Sequence, residues 1–174
     1  MKLTIALSCV TLLIACASAH PAGAAAAQEP AAAASAQPSH AITITRRGTF
    51  PVAEGSADRF TGAVRMETLA DPQAPAQTHV VRVTFAAGAR TAWHSHPLGQ
   101  VLIVTEGEGL VQQWDGPIQQ IHPGDVVWIS PNTKHWHGAS AHAAMTHIAI
   151  YETPEGQQTI WMETVSDGQY RSAR

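Results

Sequence analysis

The chain has 174 residues, 45% of them hydrophobic and 13% charged, enough for one domain with a self-supporting core. Ten Lys/Arg against thirteen Asp/Glu leave a formal charge of −3, so there is no basic excess to neutralise phosphates and nucleic acid is not an expected partner. Two cysteines are too few for a disulfide scaffold or a cysteine-built zinc site, whereas ten histidines are a surplus that asks for an explanation.

Met1-Lys2 gives a short positive start, Leu3 to Ile14 is uncharged, and Ala17-Ser18-Ala19 offers small residues to a signal peptidase. Residues 1–19 therefore read as a secretory signal, too short to be a membrane span, and the protein as exported to a bacterial periplasm. The alternative is Leu13-Ile14-Ala15-Cys16 as a lipobox, which would lipidate Cys16. Cys9 and Cys16 both fall in the leader, so the folded part carries no thiol and cysteine catalysis is excluded. Residues 20–41 hold eleven Ala and three Pro and no apolar stripe, which predicts a disordered tether with solvated His20 and His40.

From residue 42 to 174 the pattern is all-β. Short β-rich runs are expected at Ile42–Thr45, Ala63–Leu69, Thr78–Phe85, Thr91–His96, Gln100–Thr105, Leu110–Trp114, Ile118–Ile121, Asp125–Ile129, His135–Gly138, Met145–Glu152 and Trp161–Val165. Asp71-Pro72, Ala87-Gly88, Glu106-Gly107, Asp115-Gly116 and Pro123-Gly124 punctuate them. This spacing predicts a single antiparallel sandwich or barrel, with a short helical turn within Ser166–Arg174.

The histidines fall in phase with the strands. Residues two apart share a face of a strand. His94, His96 and, beyond a bend at Pro97 and Gly99, Gln100 can converge on one interior point. His135 and His137 flank Trp136, and His147 shares a face with Met145, Ala149 and Tyr151, as Val81 does with Val83 and Phe85. The predicted interior is an apolar cup with up to five imidazoles and one carboxamide at its base. Crowded imidazoles resist being protonated together, and a divalent cation held by neutral imidazole resolves the crowding. His79, His122 and His142 read as surface residues. Trp93 and Trp136 are out of phase with the adjacent histidines and should pack behind the cup. Arg90 reads as structural or solvated, with carboxylate binding as the alternative.

The run from Gly88 through His94-Ser95-His96 and Gln100 to Gly107 resembles the first cupin motif, with Gln for Glu; Gly124 to His135 resembles the second, with Asn132 where Gly is usual and Ala139 for the final Asn. The resemblance implies a cupin (jelly-roll β-barrel) fold over about Ile42–Val165. Gly88–Gln100, Ile121–Trp128, Lys134–Gly138, Met145–His147, Asp58–Gly62 and Trp161–Glu163 further resemble the bacterial manganese-dependent cupin hydroxynitrile lyases. That resemblance implies His94, His96, Gln100 and His135 as metal ligands and His137 and His147 as pocket histidines. It also implies cleavage of an aromatic cyanohydrin such as mandelonitrile to an aldehyde and hydrogen cyanide. Manganese(II) is the expected ion, with iron(II), zinc(II) and nickel(II) compatible with the same donors. On this reading His137 orients or relays rather than ligates. His147 or His137 moves the proton. Val81, Val83, Leu102 and Tyr151 hold the aryl ring. Such small cupins pair as homodimers or homotetramers. The competing readings are a cupin dioxygenase acting on a small organic substrate and a non-catalytic periplasmic module that binds a small molecule or metal.

Overall fold

The computed structural model describes residues 42–154 and 157–171. The leader and the tether lie outside them. The described part carries thirteen strands: β1 Val52–Glu54, β2 Phe60–Thr61, β3 Val64–Ala70, β4 Thr78–Phe85, β5 Arg90–Thr91, β6 His94–Ser95, β7 Gln100–Gly107, β8 Gly109–Gln113, β9 Ile118–Ile121, β10 Val126–Ile129, β11 His135–Ala139, β12 Met145–Glu152 and β13 Ile160–Trp161; one helix, α1, spans Asp167–Arg171. One sheet runs β1-β3-β4-β12-β7-β10; in the other, β13-β6-β11-β5-β2 are joined by β8 and β9. This is the all-β, jelly-roll arrangement expected, closed by a short C-terminal helical turn.

Alternation explains why the sheets face each other. Phe85, Val83, Leu102, Val104, Met145 and Ala149 are buried in one core between the sheets. Trp93, Leu110, Trp136, Val165 and Tyr170 form a second core on the far side of β11. Both out-of-phase tryptophans pack there, behind the cup. Gly138 lets β11 close on β5, since a Cβ would stand 2.4 Å from the Ala89 carbonyl oxygen and 2.6 Å from the Arg90 Cα. Asn132 takes φ 59, the left-handed corner that its short polar side chain tolerates.

Four local expectations change. Ile42–Thr45 forms no strand: Ile42 is 96% exposed and the segment has no ladder partner. Thr91–His96 is broken at Ala92-Trp93, whose amides go to the Arg59 and Glu163 carbonyls instead of a continuous ladder. Of the expected run Trp161–Val165 only Trp161 is strand, at the end of β13, and β1 and β2 lie where no strand was expected. Arg90 is buried and structural: it donates to the carbonyls of Gly88 and Val165, pairs with Asp167 at 2.8 Å and lies over Tyr170, fastening α1 to the barrel.

Candidate metal centre

The bend at Pro97 to Gly99 turns the chain so that β6 and β7 present His94, His96 and Gln100 to the same point. The Gly99 and Asn132 amides both donate to the His96 carbonyl and lock that bend. From the adjacent strand of the same sheet β11 brings His135 beside His94, its ladder partner. The His94 and His135 rings lie 4.2 Å apart and those of His94 and His96 5.2 Å apart. All four side chains are buried.

The hydrogen bonds fix which ring nitrogens face inward. His94 Nδ1 donates to the Ala92 carbonyl at 3.0 Å and His135 Nδ1 to the Thr133 carbonyl at 2.8 Å. His96 Nδ1 meets the Thr159 hydroxyl at 3.2 Å, leaving its Nε2 buried without a partner. Burial, with the charges of neighbouring imidazoles, holds His94 and His137 well below the usual histidine range. Burial is also the main cause that lowers His96 to about 3, His135 to about 4 and His147 to about 3. At neutral pH every one of these rings is uncharged.

One contact then lacks a proton. His135 Nε2 stands 3.2 Å from Gln100 Oε1. With its only proton on Nδ1, His135 offers a lone pair there, and so does the amide oxygen. Two acceptors face each other, with a donor nitrogen of His94 within 4.8 Å of that of His135, and a cation among them satisfies all three. The donor set is the nitrogen and oxygen chemistry that divalent metals take. Among the described residues the three-histidine group whose donor atoms lie within 4.8 Å of one another, and which could hold a divalent ion, is His94, His135 and His137; the expected ligand His96 falls outside it. His137 thus stands nearer the expected ligands than a mere neighbour would.

The remaining pocket residues divide. A cavity of about 100 Å3 opens beside the cluster, lined by His94, His96, Gln100, His137, Val81, Val83 and Tyr151 among others. Leu102 does not reach it: it is wholly buried in the core, between its ladder partners Val127 and Ala149. His147 does not line it either. It sits fully buried behind His137, Nε2 to Nδ1 at 3.1 Å. His137 Nε2 is buried without a partner and belongs to the cavity wall.

Three participants escaped sequence reasoning. Trp161 stacks on His94 at 4.8 Å and forms a cavity wall, although its strand is only two residues long. Thr159 orients His96 from a loop. His79, expected at the surface, is half-buried and stacks on Tyr151 at 4.9 Å with Nε2 2.8 Å from the Thr153 hydroxyl. The even spacing of His79, Val81 and Val83 on β4 carried that signal. His122 and His142 are exposed as expected.

The cupin domain family model matches residues 81–151. An (R)-mandelonitrile lyase from Granulicella tundricola is 54% identical over 130 residues, 75% of this chain and 99% of that protein. A cupin-like protein from Thermotoga maritima superimposes with a TM-score of 0.67 at 41% identity, covering 76% of this chain and 97% of the other. A polyketide cyclase from Streptomyces resistomycificus shares the fold at 14% identity, with a TM-score of 0.57 over 75% and 92% of the two chains.

Proposed function

The chain belongs to the cupin family, and from that premise we propose that it is a metal-dependent hydroxynitrile lyase, cleaving aromatic cyanohydrins to an aldehyde and hydrogen cyanide or running the reverse addition. One observation carries this reading: three of the four uncharged donors, His94, His96 and Gln100, line a mostly apolar chamber together with His137, whose Nε2 is buried without a partner, and His135 stands behind them against Gln100. The relative named as an (R)-mandelonitrile lyase supports it, since the aligned region is nearly that whole protein.

His94, His96 and His135 through Nε2 and Gln100 through Oε1 would hold a divalent ion, manganese(II) being the preferred candidate. Bound there with no ligand charge to offset it, the ion supplies Lewis acidity that lowers the pKa of a substrate hydroxyl. His137 Nε2 takes the hydroxyl proton as general base. As the bond between the carbinol carbon and the nitrile breaks, its electron pair leaves with cyanide, which recovers the proton from His137 and departs as hydrogen cyanide. His147 is a positioning residue. It accepts from His137 Nδ1 and so keeps the His137 Nε2 lone pair turned to the chamber. Val81, Val83 and Tyr151 wall the chamber and exclude water from the alkoxide that forms.

The same donor set argues against the dioxygenase reading. Four neutral ligands leave a bound divalent ion at its full +2, which disfavours its oxidation. The leader read at residues 1–19 would place the enzyme outside the cytoplasm.

The test is cyanide release from mandelonitrile by purified, manganese-loaded protein. The proposal expects turnover that disappears when the metal is stripped and returns when it is restored. Metal-loaded protein that leaves mandelonitrile intact overturns it.

A further inference from the structure

The chamber beside the histidines is too small for the substrates just assigned. A cavity known to hold one benzene ring measures roughly 150 Å3, and this one measures about 100 Å3. It opens into a larger outer cavity of about 550 Å3. Phe60, Met66, Tyr151, Thr159 and Trp161 line both, forming a throat with three aromatic walls. A cyanohydrin with its hydroxyl among the histidines must therefore place its ring in the throat. Whatever the ring carries at its far end then lies in the outer cavity.

That outer cavity is not apolar. Glu54, Arg59, His79 and Gln158 line it. Arg59 lies with its Cζ 5.6 Å from the Trp161 ring centre, at the throat's rim. Its Nε is 3.5 Å from Asp58, an exposed pair that binds it weakly. Its terminal nitrogens make no hydrogen bond to a described residue. A guanidinium held over an aromatic wall, with donors to spare, suits an oxygen acceptor at the end of a bound ring.

Building on the lyase reading, we propose that this site prefers aromatic cyanohydrins and aldehydes bearing an oxygen acceptor opposite the reacting carbon, and that Arg59 is the residue that reads it. The throat grips the ring, and Arg59 donates to the distal oxygen. Glu54 is the rival: were it the reader, a cationic substituent would be favoured instead.

The test compares kcat/KM for hydrogen cyanide addition to 4-hydroxybenzaldehyde, 4-methylbenzaldehyde and 4-(trimethylammonio)benzaldehyde, in the wild type and Arg59→Met. Hydroxyl and methyl are matched in size, and their different electron release to the carbonyl acts equally in both proteins, so the change in their ratio on Arg59→Met isolates the polar contact. The expected hydroxyl-to-methyl ratio is about tenfold higher in the wild type than in Arg59→Met, typical of a hydrogen bond to a charged group. Dissociation constants of the first two aldehydes, measured by calorimetry without cyanide, give the same ratio independently of turnover. If the ratios are the same in the wild type and Arg59→Met, or if kcat/KM for the ammonium substrate relative to the methyl one falls rather than rises in Arg59→Met, the inference is overturned. If no aldehyde reacts but the binding ratio is present and depends on Arg59, the lyase reading fails and the inference stands.

Discussion

Five buried neutral imidazoles make the metal-free domain acid-sensitive in a window that carboxylates do not share. In the unfolded chain each histidine titrates near 6.5, whereas in the folded protein His96 and His147 titrate near 3 and His135 near 4, with His94 and His137 also well below 6.5. Between those limits the unfolded state binds more protons. Stability is therefore complete above pH 6.5 and falls as the pH drops toward the folded values. Each such group removes about 1.4 kcal/mol per pH unit, or about 2 kcal/mol by pH 5. His96, His135 and His147 together remove about 6 kcal/mol there, against a total stability on the order of 5–15 kcal/mol for a domain. Metal-stripped protein should thus unfold with a midpoint between about pH 5 and 6, before carboxylates protonate. A bound divalent ion should move that midpoint downward, because protons must displace it. Tryptophan fluorescence and circular dichroism against pH, with and without manganese, read both midpoints. Metal-free protein that stays native down to pH 4, or a midpoint that manganese leaves in place, would refute the reasoning.

Three further outcomes follow from the same geometry and a fourth from the N-terminal sequence. His137→Ala should keep its metal and lose roughly 10²- to 10⁴-fold in kcat. His147→Ala should also keep its metal, but lower kcat and alter the pH profile together, which elemental analysis and pH–rate curves distinguish. Gly138→Ala should lower stability by about 1–3 kcal/mol, seen as a drop in Tm, because the new methyl group meets backbone rather than a movable side chain. On the proposed reading of residues 1–19 as a leader, the mature protein should begin at residue 20 by mass spectrometry; a lipidated Cys16 would identify the lipobox as the processing signal instead.

Alternation carried most of what the sequence could disclose. Two-residue spacing placed His94, His96 and Gln100 at one point because the bend at Pro97–Gly99 preserves their inward phase, and it sent Trp93 and Trp136 to the opposite layer. The four interior strands with long apolar faces, β3, β4, β7 and β12, were legible for the same reason. Elements of two or three residues were not: Phe60–Thr61 and Ile160–Trp161 are strands only because β5 and β6 lie beside them. Ile42–Thr45 has strand composition and no neighbour to pair with. Leu102 shares the inward phase of Gln100, yet phase alone does not say how deep a residue sits; it lies wholly buried, flanked in its sheet by Ala149 and Val127. Likewise, phase grouped His147 with the pocket, while the packing of His137 in front of it is a matter of the second sheet. The order of His137 before His147, and the throat formed by Phe60, Tyr151 and Trp161, arise from segments far apart in the chain.

The central claim is that neutral side chains at positions 94, 96, 100 and 135 grip a single cation. Metal-stripped protein, loaded with manganese(II), dialysed and analysed for metal per chain, tests it most directly with His94→Ala alongside. The account predicts one ion per chain in the wild type and essentially none in the variant. A wild type that retains no metal, or a His94→Ala protein that retains a full equivalent, would contradict it.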